Sequence, residues 1–342
     1  MIAIMVSRRR FLQSASMGLL AAPVAAQAQH VGRKVSRISW ISIELPTTPP
    51  SEEPFWDRMR ELGWAHGQNV VIERRAFGED SERIPAIAKE LIALGTDVFV
   101  ANNSTTAIRI QRETRTIPIV VTTAGDLVAA HLADSLAHPG GQVTGIQVMQ
   151  TELGAKHLSL LKEAILGLSR VGVLAADVAL TEAKITQPRH ATGDWIREIK
   201  ARAPALGLQA QVVVVGEPTE LERAFASFKS QHAQAVIVYG SNLTYAYRKT
   251  IVDLVAAHRL PSICLDASLV PLGHLMSYGW SQQANARLVA DFVDKILRGA
   301  KPGDIPIQQP TKFLLVVNLR RAKTLDLSLP PSLLLQADQI IE

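Results

Sequence analysis

The chain has 342 residues, 47% hydrophobic and 20% charged, a balance that excludes a disordered chain and allows two domains with a core each. Lysine and arginine number 36 against 31 acids, but three of the arginines fall in the first ten residues; without residues 1–28 the count is 33 against 31, and no basic stripe remains to meet nucleic-acid phosphates. The one cysteine, Cys264, excludes an internal disulfide and any multi-cysteine metal site, and its apolar neighbours predict a buried thiol.

The chain opens on Ser7-Arg8-Arg9-Arg10-Phe11-Leu12, followed by a mild apolar stretch over 15–26 and the small-residue site Ala26-Gln27-Ala28. Positive, apolar and small-residue regions in that order predict a secretory signal over residues 1–28. The paired arginines before Phe-Leu resemble the twin-arginine export signal. The mature chain is expected to begin near Gln29, to carry no lipid anchor there because that residue is not cysteine, and to be free in the periplasm. No window reaches the length of a membrane span.

Beyond residue 34, short β-branched runs alternate with longer segments of helical period, the pattern of a parallel sheet covered by helices. Strands are predicted at 35–43, 70–75, 98–101, 119–122 and 143–146, and again at 171–175, 211–215, 235–239, 262–265 and 275–278. Helices are predicted at 84–94, 127–135 and 282–297, the first and last ending beside Gly95 and Gly299. The order from Gly67 (strand, helix, "DVFVANN", helix, "IPIVVT") returns from Gly207 (strand, helix, "QAVIVYGSN", helix, "LPSICLD"), so one unit is written twice. The expected fold class is α/β, with two Rossmann-like lobes. The lobes are placed at 35–148 plus 279–305 and at 149–278, with 306–342 crossing between them, and Trp64, between Gly63 and Gly67, is expected to be a structural plug.

In open α/β sheets, ligands bind beyond the carboxyl ends of the strands, and two such rims face to face make a cleft. The predicted strand ends carry Ser42, Asn103, Ser104, Thr105, Thr122, Asp126 and Asp177, and then Tyr239, Asn242, Asp266 and Tyr278; these are the candidate ligand-binding residues. The run Asn103–Thr106 opens a helix, where free N–H groups and hydroxyls suit a carboxylate, although Asn103 or Ser104 could simply cap the helix. Asp126 and Asp266 could pair with a ligand ammonium or cap the segments after them. Tyr239, Tyr245, Tyr278 and Trp280 offer faces for an aromatic ligand, or packing for core and hinge.

The segments "GQNVVIE", "HPGGQVTGI", "ELGAKHLSLLKE", "LMSYG" and the closing "QQPTKFLLVVNLRRAKTLDLSLPPSLLLQADQIIE" resemble the ABC-transporter substrate-binding family that includes tryptophan and tyrosine uptake proteins. The resemblance runs from residue 8 to 342. It implies a type I periplasmic-binding-protein fold with three crossovers between the lobes, a small carboxylate-bearing ligand such as an amino acid or aromatic acid, and a membrane permease and an ATPase as partners. No cofactor, no metal, no nucleic acid and a monomeric state are expected with it. The stretch "ELPTTPPSEEPFWD" departs from relatives, which have a shorter Ser/Pro loop before the helix.

Other functions lack their residues. The first strand is not followed by Gly-x-Gly-x-x-Gly, and there is no Gly-x-Ser-x-Gly elbow and no His-Glu-x-x-His, so no enzyme is expected. A repressor with this clamp would need a helix-turn-helix where the chain has its export signal. A sensor component that presents a ligand to a membrane receptor and, after it, an enzyme on a Rossmann-like fold are the alternatives that sequence alone leaves open.

Overall fold

The computed structural model describes residues 35–45, 53–148, 150–176 and 191–342. The predicted export signal over residues 1–28, residues 46–52 of the departing loop, Met149 at the expected lobe boundary and Asp177 lie outside them.

The first sheet is built from β1 (Ser36–Ser42), β2 (Val70–Ala76), β3 (Val98–Ala101), β4 (Ile119–Ala124) and β5 (Val143–Gln147). Its spatial order is β2-β1-β3-β4-β5, every pair parallel. The second contains β6 (Arg170–Ala176), β7 (Gln209–Val215), β8 (Ala235–Val238), β9 (Ser262–Cys264) and β10 (Met276–Trp280) in the order β10-β9-β8-β6-β7, the same winding repeated. It is extended by β11 (Phe313–Asn318), antiparallel to β10, and β12 (Gln339–Ile341), parallel to β11. The central strands are apolar on both faces, as "VFVA" of β3 and "AVIV" of β8 are, because helices cover both sides.

Alternation along the strands divides each lobe into two cores. In the first lobe, Phe99, Ala101 and Val121 face α2 (Ile84–Ala93) and α3 (Ser104–Glu113). Ile38, Val98, Val100 and Val120 face α1 (Glu53–Glu61) and α9 (Gln282–Leu297). In the second, Val171, Val173 and Ala175 pack under α4 (Gln150–Ala164) and α5 (Ala191–Arg202). Leu174, Ala176 and Val236 pack under α6 (Leu221–Ser230) and α8 (Arg248–Ala257), with Cys264 a buried free thiol among them. Trp64 donates from its indole to Asp294 of α9 at 2.7 Å and plugs the end of the α1–α9 layer.

The chain passes between the sheets three times: from β5 into α4, from β10 into α9, and along 306–312. The passages are tied to one another. Gln308 exchanges backbone hydrogen bonds with Gly145 and Gln147, at 2.9 Å each, and Ser281 N–H donates to Lys312 O at 2.9 Å. Ser281 also caps α9. Two glycines sit at equivalent places, each in the fifth strand of its lobe. A Cβ on Gly145 would meet Val121 O at 2.3 Å, and one on Gly279 would meet Leu265 O at 2.0 Å, so both strands approach their neighbours as only glycine allows.

Three elements differ from expectation. Residues 127–135 are successive turns and not a helix: His131 takes a left-handed conformation, and Leu132 and Ala133 fold back to Leu127 O. The segment from 306 forms a strand only at Phe313, since Pro306 and Pro310 have no N–H to give a ladder. Residues 279 and 280, assigned above to the first lobe, end β10. Most of 306–342, read above as a crossing segment, belongs to the second sheet and its helices α10 (Leu319–Thr324) and α11 (Pro331–Gln336).

Among the described residues, two histidines are wholly buried. His157 on α4 meets Tyr278 O through Nε2 at 2.7 Å, and His274 meets Ser262 Oγ through Nδ1 at 2.9 Å. Burial pushes both imidazoles down to about 4, for His274 with help from Arg321. A histidine whose folded value lies below its unfolded value of about 6.5 stabilises the fold above that pH and loses the contribution as pH falls toward the folded value. Each is worth at most about 3 kcal/mol on this basis. Thermal denaturation should therefore show a loss of stability between pH 6.5 and 4 that is shallower in His157→Gln/His274→Gln; equal slopes in parent and variant would refute the assignment.

Candidate functional site

Residues just beyond the carboxyl ends of β1, β2 and β3 (Glu44, Glu79 and Asn103) meet the stretch after β8, Asn242–Arg248, across the cleft between the lobes. The amino end of α3 forms one wall. Asn103 caps it, its Oδ1 accepting from Thr106 N at 3.0 Å, in the extended conformation of an N-cap. Asn102 holds the neighbouring strand ends together: its carbonyl accepts from Thr122 Oγ1 at 3.0 Å and Thr123 Oγ1 at 2.9 Å, and its side chain accepts from Thr106 Oγ1 at 2.5 Å. The hydroxyl of Ser104, first residue of α3, is buried and has no hydrogen-bond partner. A buried hydroxyl without a partner costs about 1–3 kcal/mol, so it marks a place where an acceptor would be welcome.

The opposite wall is α7 (Asn242–Ala246) and the start of α8. Ser241 and Thr244 form a capping box there, and Thr244 also donates to Tyr239 O at 2.7 Å, which anchors the turn to the end of β8. Among the described residues, three polar contacts join the walls. Asn103 Nδ2 donates to Asn242 Oδ1 at 2.5 Å. Arg248 clasps the Glu44 carboxylate with both terminal nitrogens, at 2.9 and 2.7 Å. Tyr247 Oη donates to Glu79. Tyr245 lies between the walls, packed against a core of each lobe.

The electrostatics of the second wall are coupled. Burial raises the Tyr245 hydroxyl above its ordinary range, Asp266 adds to the shift, and Arg248, lying 4.7 Å over the ring, opposes it. Hydrogen bonding to Glu44 raises the Arg248 guanidinium further, with Asp266 again contributing. The cleft thus holds an unsatisfied hydroxyl at a helix amino end on one side, and an aromatic ring beside a carboxylate on the other. That arrangement can hold a small molecule bearing an anion, an apolar body and a cation.

The structure brings Ser42, Asn103, Ser104, Thr122 and Asn242 to this cleft or its supporting network, with Asp266 close behind Tyr245. Ser42 donates to Glu44 O at 2.7 Å and so positions the Glu44 loop. Thr105 is exposed on α3. Asp126 caps the turn after β4, its Oδ1 accepting from Val128 N and Ala129 N at 3.0 Å each. Asp266 does the same for Ser268 N at 2.9 Å. Two aromatics stand elsewhere. Tyr239 is buried in the second lobe with its ring 4.7 Å from that of Trp195. Tyr278 stacks on Phe313 with Lys156 over its ring. Glu44, Glu79 and Arg248 were not among the predicted residues; they are far apart in sequence and meet only because the lobes do.

The family described as "ABC transporter substrate binding protein" matches residues 42–341. A "Tyrosine-binding protein" of Clostridioides difficile (strain R20291) is 21% identical over 285 residues, 83% of this chain and 79% of the relative. Among solved structures, an ABC domain from Streptococcus pneumonia in complex with L-Trp gives a TM-score of 0.77 at 23% identity over 90% of this chain and 99% of its own. The ligand-free, open structure of a substrate binding protein with adhesive properties from Clostridium difficile gives 0.63 at 20% identity, over 90% and 99%. The shared architecture is the type I periplasmic-binding-protein fold.

Proposed function

The chain belongs to the family of ABC transporter substrate binding proteins, and on that premise we propose that it captures an aromatic amino acid in the periplasm and delivers it to a membrane permease driven by an ATPase. It is a solute-binding protein and not an enzyme. The observation that carries the ligand class is the unpaired Ser104 hydroxyl at the amino end of α3, on the wall opposite the one that holds the Tyr245 ring and Asp266. A carboxylate would accept from Ser104 and gain from the positive end of the α3 dipole. An ammonium group would be drawn to Asp266, and a ring would lie against Tyr245 between the two cores. The relatives named for tyrosine and solved with L-Trp favour an aromatic side chain over other amino acids.

Periplasmic capture rests on the Arg8-Arg9 pair and the Ala26-Gln27-Ala28 site. Among the described residues, no helix is long and apolar enough to cross a membrane. Replacing both arginines, Arg8→Lys with Arg9→Lys, should stop export; an undiminished periplasmic fraction would refute the twin-arginine reading.

The ligand is tested by thermal shift of the mature chain with L-tryptophan, L-tyrosine and L-phenylalanine, each beside its carboxamide. At 100 times its dissociation constant a ligand adds about 2.7 kcal/mol of stability. The acids should shift the melting temperature and the amides should not. Ser104→Ala should melt at or slightly above the unliganded parent, because it removes an unpaired buried hydroxyl, while binding about tenfold or more weakly, because a charge-assisted hydrogen bond of about 1.5–3 kcal/mol is lost. Amides that bind as well as acids would remove the anion subsite, and no shift with any of the three acids would remove the ligand class.

A further inference from the structure

Among the described residues, every side-chain hydrogen bond that joins the two walls comes from one stretch of the second lobe, Asn242–Arg248. We propose that this stretch is a latch, in which the bidentate Glu44–Arg248 ion pair sets how long the clamp stays shut and thus how long a captured molecule is held. The inference rests on reading the cleft as the ligand site.

The two partners are prepared for each other before the lobes meet. Glu44 stands on a loop fixed by the Ser42 hydroxyl, which donates to the Glu44 carbonyl at 2.7 Å. Arg248 is braced from behind: Nη1 also donates to Tyr245 O at 2.9 Å, and the guanidinium lies 4.7 Å from the centre of the Tyr245 ring. A planar fork held in one orientation loses little side-chain freedom when it takes up a carboxylate. The Arg248 side chain is only 17% exposed and Glu44 is 45% exposed, so the pair is shielded on one side and is stronger than a free surface ion pair. Because the two residues belong to different lobes, opening the cleft must break both hydrogen bonds at once. The Asn103–Asn242 and Tyr247–Glu79 contacts break with them, and Tyr245 leaves one of its two cores.

The latch can be tested without any ligand. Cysteines placed at Glu79→Cys and Tyr247→Cys come within reach of a short bis-maleimide only when the lobes close, so the cross-linking rate tracks the closed population even if it is a minority. Cys264 is buried and its thiol is pushed up by burial, so it stays silent. In this background, Glu44→Gln and Arg248→Gln should each slow cross-linking about fivefold to tenfold, the range expected for a partly shielded ion pair. The double variant should be no slower than either single one, because the pair is lost as a unit. Added salt should slow the parent and leave the variants unchanged. Cross-linking at the parent's rate in either single variant, or a double variant slowed by the product of the two effects, would overturn the latch. Since no amino acid enters the experiment, its failure is separate from failure of the proposed ligand.

Discussion

A parallel sheet gathers the carboxyl ends of its strands, and the amino ends of the helices that come after them, along a single edge. Here that edge is made twice, by the orders β2-β1-β3-β4-β5 and β7-β6-β8-β9-β10, and the two edges are turned toward one gap. Unpaired helix N–H groups, short polar turns and capping side chains are therefore concentrated where the lobes meet. Asn103, Asp126, Ser241 and Asp266 each cap the helix or turn after a strand, and all four stand at such an edge. The cleft is polar because of the winding, and among the described residues of the first wall the Ser104 hydroxyl is one buried group that capping leaves without a partner.

The passages between the sheets make the two edges face each other reproducibly. Hydrogen bonds at Gly145, Gln147, Gln308, Ser281 and Lys312 bind the three crossing strands into one strip, and the glycines at 145 and 279 let the fifth strand of each lobe press against the fourth. The lobes are large, separately cored units on either side of that strip. In the clamp proposed above, a small rotation about it would open or shut the gap, moving Tyr245 out of one core and leaving the rest of the four cores in place. Affinity and lobe closure are then linked, because a ligand touching both walls favours the state in which the walls are close.

Much of this could be read before any coordinates. The strands announce themselves as β-branched runs, and the doubled order of elements is visible in the repeated "strand, helix, DVFVANN" and "strand, helix, QAVIVYGSN". The residues at the strand ends came from the fold class alone. What the sequence reading left unused was direction. Counting by two from Ala235 and Ile237 carries Tyr239 to the face covered by α4 and α5, and counting from Met276 carries Tyr278 to the same core, so parity along β8 and β10 already sets both on that helix-covered face. The turn at His131 gave no signal, since nothing in the apolar spacing of 127–135 foretells a left-handed residue. Glu44 and Arg248 were invisible for another reason. Each looks like an ordinary surface charge, and only the meeting of two lobes pairs them.

The central claim is that a small carboxylate sits between the amino end of α3 and the α7–α8 wall. A crystal structure of the mature chain grown with L-tryptophan tests it most directly. The ligand should lie in the cleft with its carboxylate accepting from Ser104 Oγ, its ring against Tyr245, and Asn103 within hydrogen-bond distance of Asn242. Ligand bound anywhere else, or bound in the cleft with its carboxylate turned away from α3, would contradict the claim.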